Sequence, residues 1–298
     1  MREIGVAGIG LFSLLADNVN KHCTKIEKGN TIKFIRSQVD AIGVHGLDEY
    51  LQNFLPYTKM NKFMSSTSML MALAAQEALC ELDLSLIAPE RIGLFAATGL
   101  ASGNFFECLE ALKNSFTDTG FSLAKFNRDG MDSINPLMCF KALGNMPPCI
   151  VSILHQIKGS HLLFHPFEDQ GAAALYEGYH AVQNGEIEYA IILAADDPMH
   201  LANYTYFVDN NLFSKDDIPN PCGAAIVLSG SLNDSLCTVN SIDMHFDNAI
   251  FNDPIRNIVG RTVAPAALVQ FILSMTCSTP YPQKISANGQ TISWSLKK

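Results

Sequence analysis

The sequence predicts an α/β fold. Six short apolar runs, near 4–12, 92–97, 161–165, 189–195, 223–229 and 237–244, have the length of buried strands. Helical periodicity separates them. It is clearest at 68–82, where Met69, Ala72, Leu73, Gln76 and Leu79 share one broad face, and it recurs at 104–116, 172–183 and 263–275. Stretches rich in Asp, Asn, Gly and Pro at 117–134 and 208–222 read as loops. Strands alternating with helices call for a central sheet covered on both faces.

In chain order, the opening run I-G-V-A-G-I-G-L-F-S at 4–13 reads as a buried strand. Its glycines, the preceding Glu3 and the lack of a small-residue cleavage site separate it from a signal peptide. R-I-G-L-F-A-A-T-G at 91–99 is a strand running into a glycine turn. F-F-E-C-L-E-A-L-K-N-S-F at 105–116 is an aromatic-rich helix carrying Phe105, Phe106, Leu109, Leu112 and Phe116. The strand at 161–165 then enters a turn at Pro166, a helix starts near Glu168, and a buried strand follows at 189–195. A residue at such an elbow faces the N–H groups and positive dipole end of a helix, a setting that favours an anion or a reactive thiolate. Further on, G-A-A-I-V-L-S at 223–229 and the run at 237–245 are strands, V-G-R-T-V-A-P-A-A-L-V-Q at 259–270 a helix, and 291–296 the last strand.

Composition narrows the function. A chain of 298 residues can bury one large core or two fused halves. Only 16% of residues are charged and mean hydropathy is +0.14, so part of the surface is expected to be buried in a partner. The net charge of −9 argues against nucleic acid and anionic membranes as partners. No apolar run is long enough to span a bilayer, and the chain reads as a cytoplasmic protein. The eight cysteines show no C-x-x-C and no metal-like spacing and read as reduced core residues. His155, His161 and His165 lack a convergent ligand pair, which leaves no metal site.

The spacing around the elbow resembles the β-ketoacyl synthases of the thiolase-like fold, and more closely their inactive relatives, the chain-length factors. In that family a glycine stands nine residues before the catalytic cysteine, another three after it and a third seventeen after it. Here these are Gly159, Gly171 and Gly185, and the cysteine position holds Glu168. The segments at 4–13, 91–99 and 135–148 follow in the family's order. The resemblance implies a layered α/β/α/β/α fold with a truncated C-terminal half. It implies one ketosynthase-like domain over 1–298, its halves near 1–200 and 201–298.

The family's catalytic set is missing. A condensing synthase needs a thiolate to carry the acyl chain and two imidazoles to donate to the thioester carbonyl. A glutamate cannot form the thioester. The family's H-G-T turn is absent, Arg261 stands near the second histidine position, and no histidine follows His245. The closing loop is reduced to S-A-N-G at 286–289, without its phenylalanine. No catalytic residue is therefore expected to be intact, and no cofactor is required. The resemblance further implies a heterodimer with a catalytic ketosynthase, formed through the strand His161, Leu162, Leu163, Phe164 and His165. The partner would engage the acyl carrier protein. Phe105, Phe106, Leu109, Leu112 and Phe116 would shape the acyl tunnel in type II polyketide, aryl polyene or fatty-acid-like biosynthesis. Two alternatives stay open: a malonyl-carrier-protein decarboxylase using Glu168, and an acyl-binding pseudoenzyme of the thiolase fold.

Overall fold

The computed structural model describes residues 2–297 except 44–45, 57, 101–104, 215, 234, 248–254, 279–280 and 288, and it leaves the side chains of Phe105 and Phe106 undescribed. Eight main strands form: β1 Ile4–Ser13, β2 Ile92–Thr98, β3 His161–Phe164, β4 Tyr189–Asp196, β5 Cys222–Ser229, β6 Cys237–Phe246, β7 Lys284–Ala287 and β8 Gln290–Lys297. Their order is β3-β2-β4-β5-β1-β6-β8-β7. The row divides into two parts. The first five strands are mixed, with β2 parallel to β3 and β4, and β5 antiparallel to β4 and β1. The last three are antiparallel. Among the described residues the strand ladder joins the two parts where Ile4, Gly5 and Val6 of β1 meet Val239, Thr238 and Cys237 of β6.

Among the described residues the longer helices are α1 Val19–Lys28, α2 Thr31–Ile42, α3 Ser66–Leu79, α4 Met146–His155, α5 Gln170–Gln183, α6 Leu201–Asp209 and α7 Ala266–Thr276. Helix α3 is capped by the Ser65 hydroxyl and is buried over most of its circumference between β1, β5 and α4. It can lie directly on the sheet because glycines face it. A Cβ on Gly10 would come within 2.0 Å of the Ala74 carbonyl, and one on Gly223 within 2.1 Å of that of Leu70. Glu77 ties this helix to the chain crossing it, its carboxylate accepting from the Leu11 and Val19 N–H groups at 2.8 Å each.

On the opposite face α5 and α7 fill the space between the five-stranded and three-stranded parts. Val239, Ile242, Ile285, Ile292 and Trp294 turn one face of the three-stranded part inward. Phe271 of α7 packs on Trp294, and the Gln270 side chain donates to the Lys284 carbonyl. Asn240, Asp243 and Ser295 are exposed. No described helix covers that polar face. Among the described residues no helix is long and apolar enough to cross a membrane.

Three sequence expectations need correction. The helix expected over 105–116 is two short pieces, a tight turn at Phe105–Cys108 and a helical turn at Leu109–Lys113. The Ser115 hydroxyl folds back onto the Ala111 carbonyl, and Phe116 enters a small hairpin with Phe121 whose turn places Gly120 at φ +116°. The helix expected over 259–270 starts only at Ala266, because Gly260 at φ +77° and Pro265 interrupt it. Nor are all the cysteines in the core: Cys80, Cys139 and Cys149 are exposed.

Candidate functional site

The elbow lies between β3 and α5. Strand β3 ends at Phe164, the chain turns through the cis bond between His165 and Pro166, and Glu168 and Asp169 precede the first turn of α5. Three glycines make this path possible. A Cβ on Gly159 would strike the Ile92 carbonyl at 2.4 Å, and one on Gly171 the Ala264 carbonyl at 2.4 Å. Gly185, at φ +74°, takes a left-handed conformation just beyond α5 that other residues adopt at a cost. The 9, 3 and 17 spacing thus corresponds to three backbone constraints around Glu168.

Glu168 and Arg261 meet inside the protein. An Arg261 Nη2 donates to Glu168 Oε1 at 2.7 Å, with the two side chains only 4% and 2% exposed. The same nitrogen reaches the Leu212 carbonyl at 3.4 Å, and the guanidinium lies 5.7 Å from the Phe213 ring centre. The Arg261 backbone is clamped from the other side: its N–H donates to the Ile218 carbonyl at 2.8 Å, and its carbonyl accepts from Asn220 at 2.9 Å. The Asn220 side chain in turn receives the Leu14 N–H at 3.1 Å and donates to the Val259 carbonyl at 2.7 Å. Next to this clamp Val263, a β-branched residue, holds φ +53° while buried against Phe207 and Phe213. That conformation is strained for valine, and the surrounding packing holds it in place.

Burial pushes the Glu168 carboxyl up from its usual range. The Arg261 guanidinium pulls part of that shift back, and the neighbouring Asp169 adds to it. Asp169 itself accepts from the Gln290 side chain at 2.6 Å, which ties the start of β8 to the elbow. At that end of the strand Gln290 pairs with Ala287, and Gly289 holds φ +79°.

Beside the ion pair stands an acidic group to which the sequence reading gave no role. Asp196 ends β4 fully buried, and burial followed by the charge of Asp197 pushes its carboxyl well above the usual range. Asn203 donates to it at 3.3 Å and to the Asp197 carbonyl at 2.8 Å. Asp197 accepts from the Ser66 hydroxyl at 2.9 Å and the Met199 N–H at 3.0 Å, and burial raises it to about 6. Gly99 packs against Asp196 so closely that a Cβ there would overlap the carboxylate. Two acids ending the apolar strand 189–195 were the signal available in the sequence.

The other expected site residues spread out. His161 is exposed and bonds the Gly159 carbonyl at 2.6 Å and the Ser152 hydroxyl at 3.1 Å. His165 lies 3.3 Å from the Thr98 hydroxyl. Among the described residues no group of three His, Cys, Asp or Glu side chains is placed to hold a metal. Leu162 and Leu163 are 44% and 38% exposed on opposite faces of β3, whose outer edge has no strand partner among the described residues. Leu109 and Phe116 are also exposed and Leu112 is half-buried. The tunnel role expected of Phe105 and Phe106 falls on side chains outside the described residues.

No protein-family model matches the sequence, and no curated protein matches it. Solved structures do. A chain of the apo AntDE:AntF complex, a type II polyketide synthase acyl carrier protein with its ketosynthase bound to the hexaketide, superposes with a TM-score of 0.73 at 12% identity. The match covers 100% of this chain and 99% of that one. This chain has a ketosynthase-like, thiolase-type fold. The ishigamide ketosynthase/chain length factor matches at TM-score 0.56 and 14% identity, over 83% of this chain and 68% of that one. Ketosynthase twelve of the bacillaene polyketide synthase of Bacillus amyloliquefaciens matches at 0.61 and 12%, over 100% and 75%. On that fold, the elbow between β3 and α5 carries the buried Glu168–Arg261 ion pair.

Proposed function

We propose that this chain is a non-catalytic, chain-length-factor-like partner of a ketosynthase in type II polyketide, polyene or fatty-acid-like biosynthesis. The observation that carries the reading is the Glu168–Arg261 pair. A carboxylate held by a guanidinium offers no nucleophile for an acyl group, and the chain has no histidine beyond His245 to polarise a thioester. The chain serves as a single domain whose first half supplies the dimer surface and whose shortened second half supplies Arg261. Strand β3 supports the partner assignment. It is an edge strand with apolar side chains exposed on both faces, an arrangement that proteins cover with another chain. A second ketosynthase-fold chain, itself engaged with an acyl carrier protein, fits that edge.

The test is co-expression with a ketosynthase encoded beside this chain, followed by size and mass analysis. A stable one-to-one heterodimer is expected. In that complex, if Phe106 closes the acyl tunnel as proposed, Phe106→Ala lengthens the product by at least one two-carbon unit, since overpacking against a large side chain costs about 1–3 kcal/mol. A soluble homodimer that ignores the ketosynthase overturns the proposal. Release of carbon dioxide from malonyl-carrier protein by the chain alone, lost in Glu168→Ala, would establish the decarboxylase in its place.

A further inference from the structure

Two cysteines 254 residues apart in the sequence meet where α1 packs beside the end of α7. Cys23 lies in the middle of α1, and Cys277 directly follows α7. Their sulfurs are 2.8 Å apart, closer than two non-bonded sulfur atoms rest and longer than the S–S bond of about 2.05 Å. The junction around them is ordered by side-chain contacts. Cys23 Sγ is 3.3 Å from the Thr276 hydroxyl, and one helical turn further along α1 Glu27 accepts from the Ser278 hydroxyl at 3.0 Å. Other sulfur contacts differ in kind: Cys108 meets the thioether of Met138, and Cys237 that of Met275, which cannot form disulfides.

We propose that Cys23 and Cys277 are a thiol pair that forms a reversible disulfide by exchange with a low-molecular-weight disulfide, fastening α1 to the end of α7. The two thiols divide the work. Cys23 is half-buried and can be reached from solvent, whereas Cys277 is buried. The Cys277 thiol donates to Cys23 and lowers its pKa to about 7, while Cys277 is pushed up. Cys23 is therefore the attacking thiolate and Cys277 the resolving thiol. Cys23 Sγ attacks one sulfur of the small disulfide, whose S–S bond breaks and releases one thiol. Cys277 then gives up its proton and attacks Cys23 Sγ, releasing the second thiol. The protein loses two electrons and two protons, and the small disulfide is reduced to two thiols. Because the link would enclose nearly the whole chain, it restricts the unfolded ensemble strongly.

The test is treatment of the folded chain with oxidised glutathione, then peptide mapping without reduction and a thermal melt. A linked peptide containing Cys23 and Cys277 is expected, with a rise in Tm of roughly 5–15 °C, both reversed by dithiothreitol. In Cys277→Ser the link cannot close, and Cys23 accumulates as a mixed disulfide with glutathione. The exposed Cys80, Cys139 and Cys149 report that the oxidant has acted. If they are modified while Cys23 and Cys277 of the wild-type chain remain unlinked, the proposal is overturned. A linked peptide with no rise in Tm overturns the fastening.

Discussion

Removing one half of the Glu168–Arg261 pair strands the other half in the interior. Arg261→Ala or Glu168→Leu should each destabilise the fold by about 3–5 kcal/mol, because the surviving group is left buried without its ion-pair partner. The double replacement Glu168→Leu with Arg261→Met should recover most of that loss, which urea unfolding of the three variants would measure. A second residue-scale effect follows from two buried acids, Asp197 and, in the short helix Leu47–Gln52, Asp48. Burial, assisted by the charge of Asp197, raises Asp48 to about 6, and burial raises Asp197 to about 6. In the unfolded chain both titrate near 3.9. A raised folded pKa favours the fold when the group is protonated. The contribution is thus fully present below about pH 4 and is lost as pH climbs through 6. Between pH 5 and 7.5 the wild-type chain should lose about 1–3 kcal/mol more stability than Asp48→Asn; equal losses would show that Asp48 titrates normally. The sequence led to Glu168 by glycine spacing and to Arg261 by its place in a family pattern. It could not reveal their contact, which depends on the 218–220 segment turning the 261–265 loop inward.

At the scale of elements, the contact between α3 and the sheet is set by what is missing from the strands. Gly10 and Gly223 leave no room for a side chain under the helix backbone. Gly10→Ala should push α3 off β1 and cost about 1–3 kcal/mol, measured by chemical unfolding, although alanine is the smallest possible addition. The strands themselves were legible: each of the six expected runs appears, displaced at its ends by at most a residue or two, because β-branched and small apolar residues crowd a buried sheet. Helix 105–116 was misread because its apolar spacing continues past Lys113, while the backbone is diverted by the T-D-T-G turn that pairs Phe116 with Phe121. Helix 259–270 was misread because hydrophobic content outweighed the breaking signals of Gly260 and Pro265.

For the whole molecule, the strand order joins distant parts of the sequence, and nothing in local pattern announces it. Strand β3, at the outer end of the row, pairs along only one edge among the described residues, and three residue pairs connect the two parts of the sheet. The position of β1 has a temporal consequence. It is made well before its neighbours β5 and β6, which begin at Cys222 and Cys237. At translation rates of about 5–20 residues per second, an apolar strand waits roughly 10–40 s before the segment that pairs with it has been made. During that interval both of its edges are open to other chains. Synthesis thus favours early capture of β1 by chaperones, and it makes the segment from Cys222 onward the step that closes the sheet.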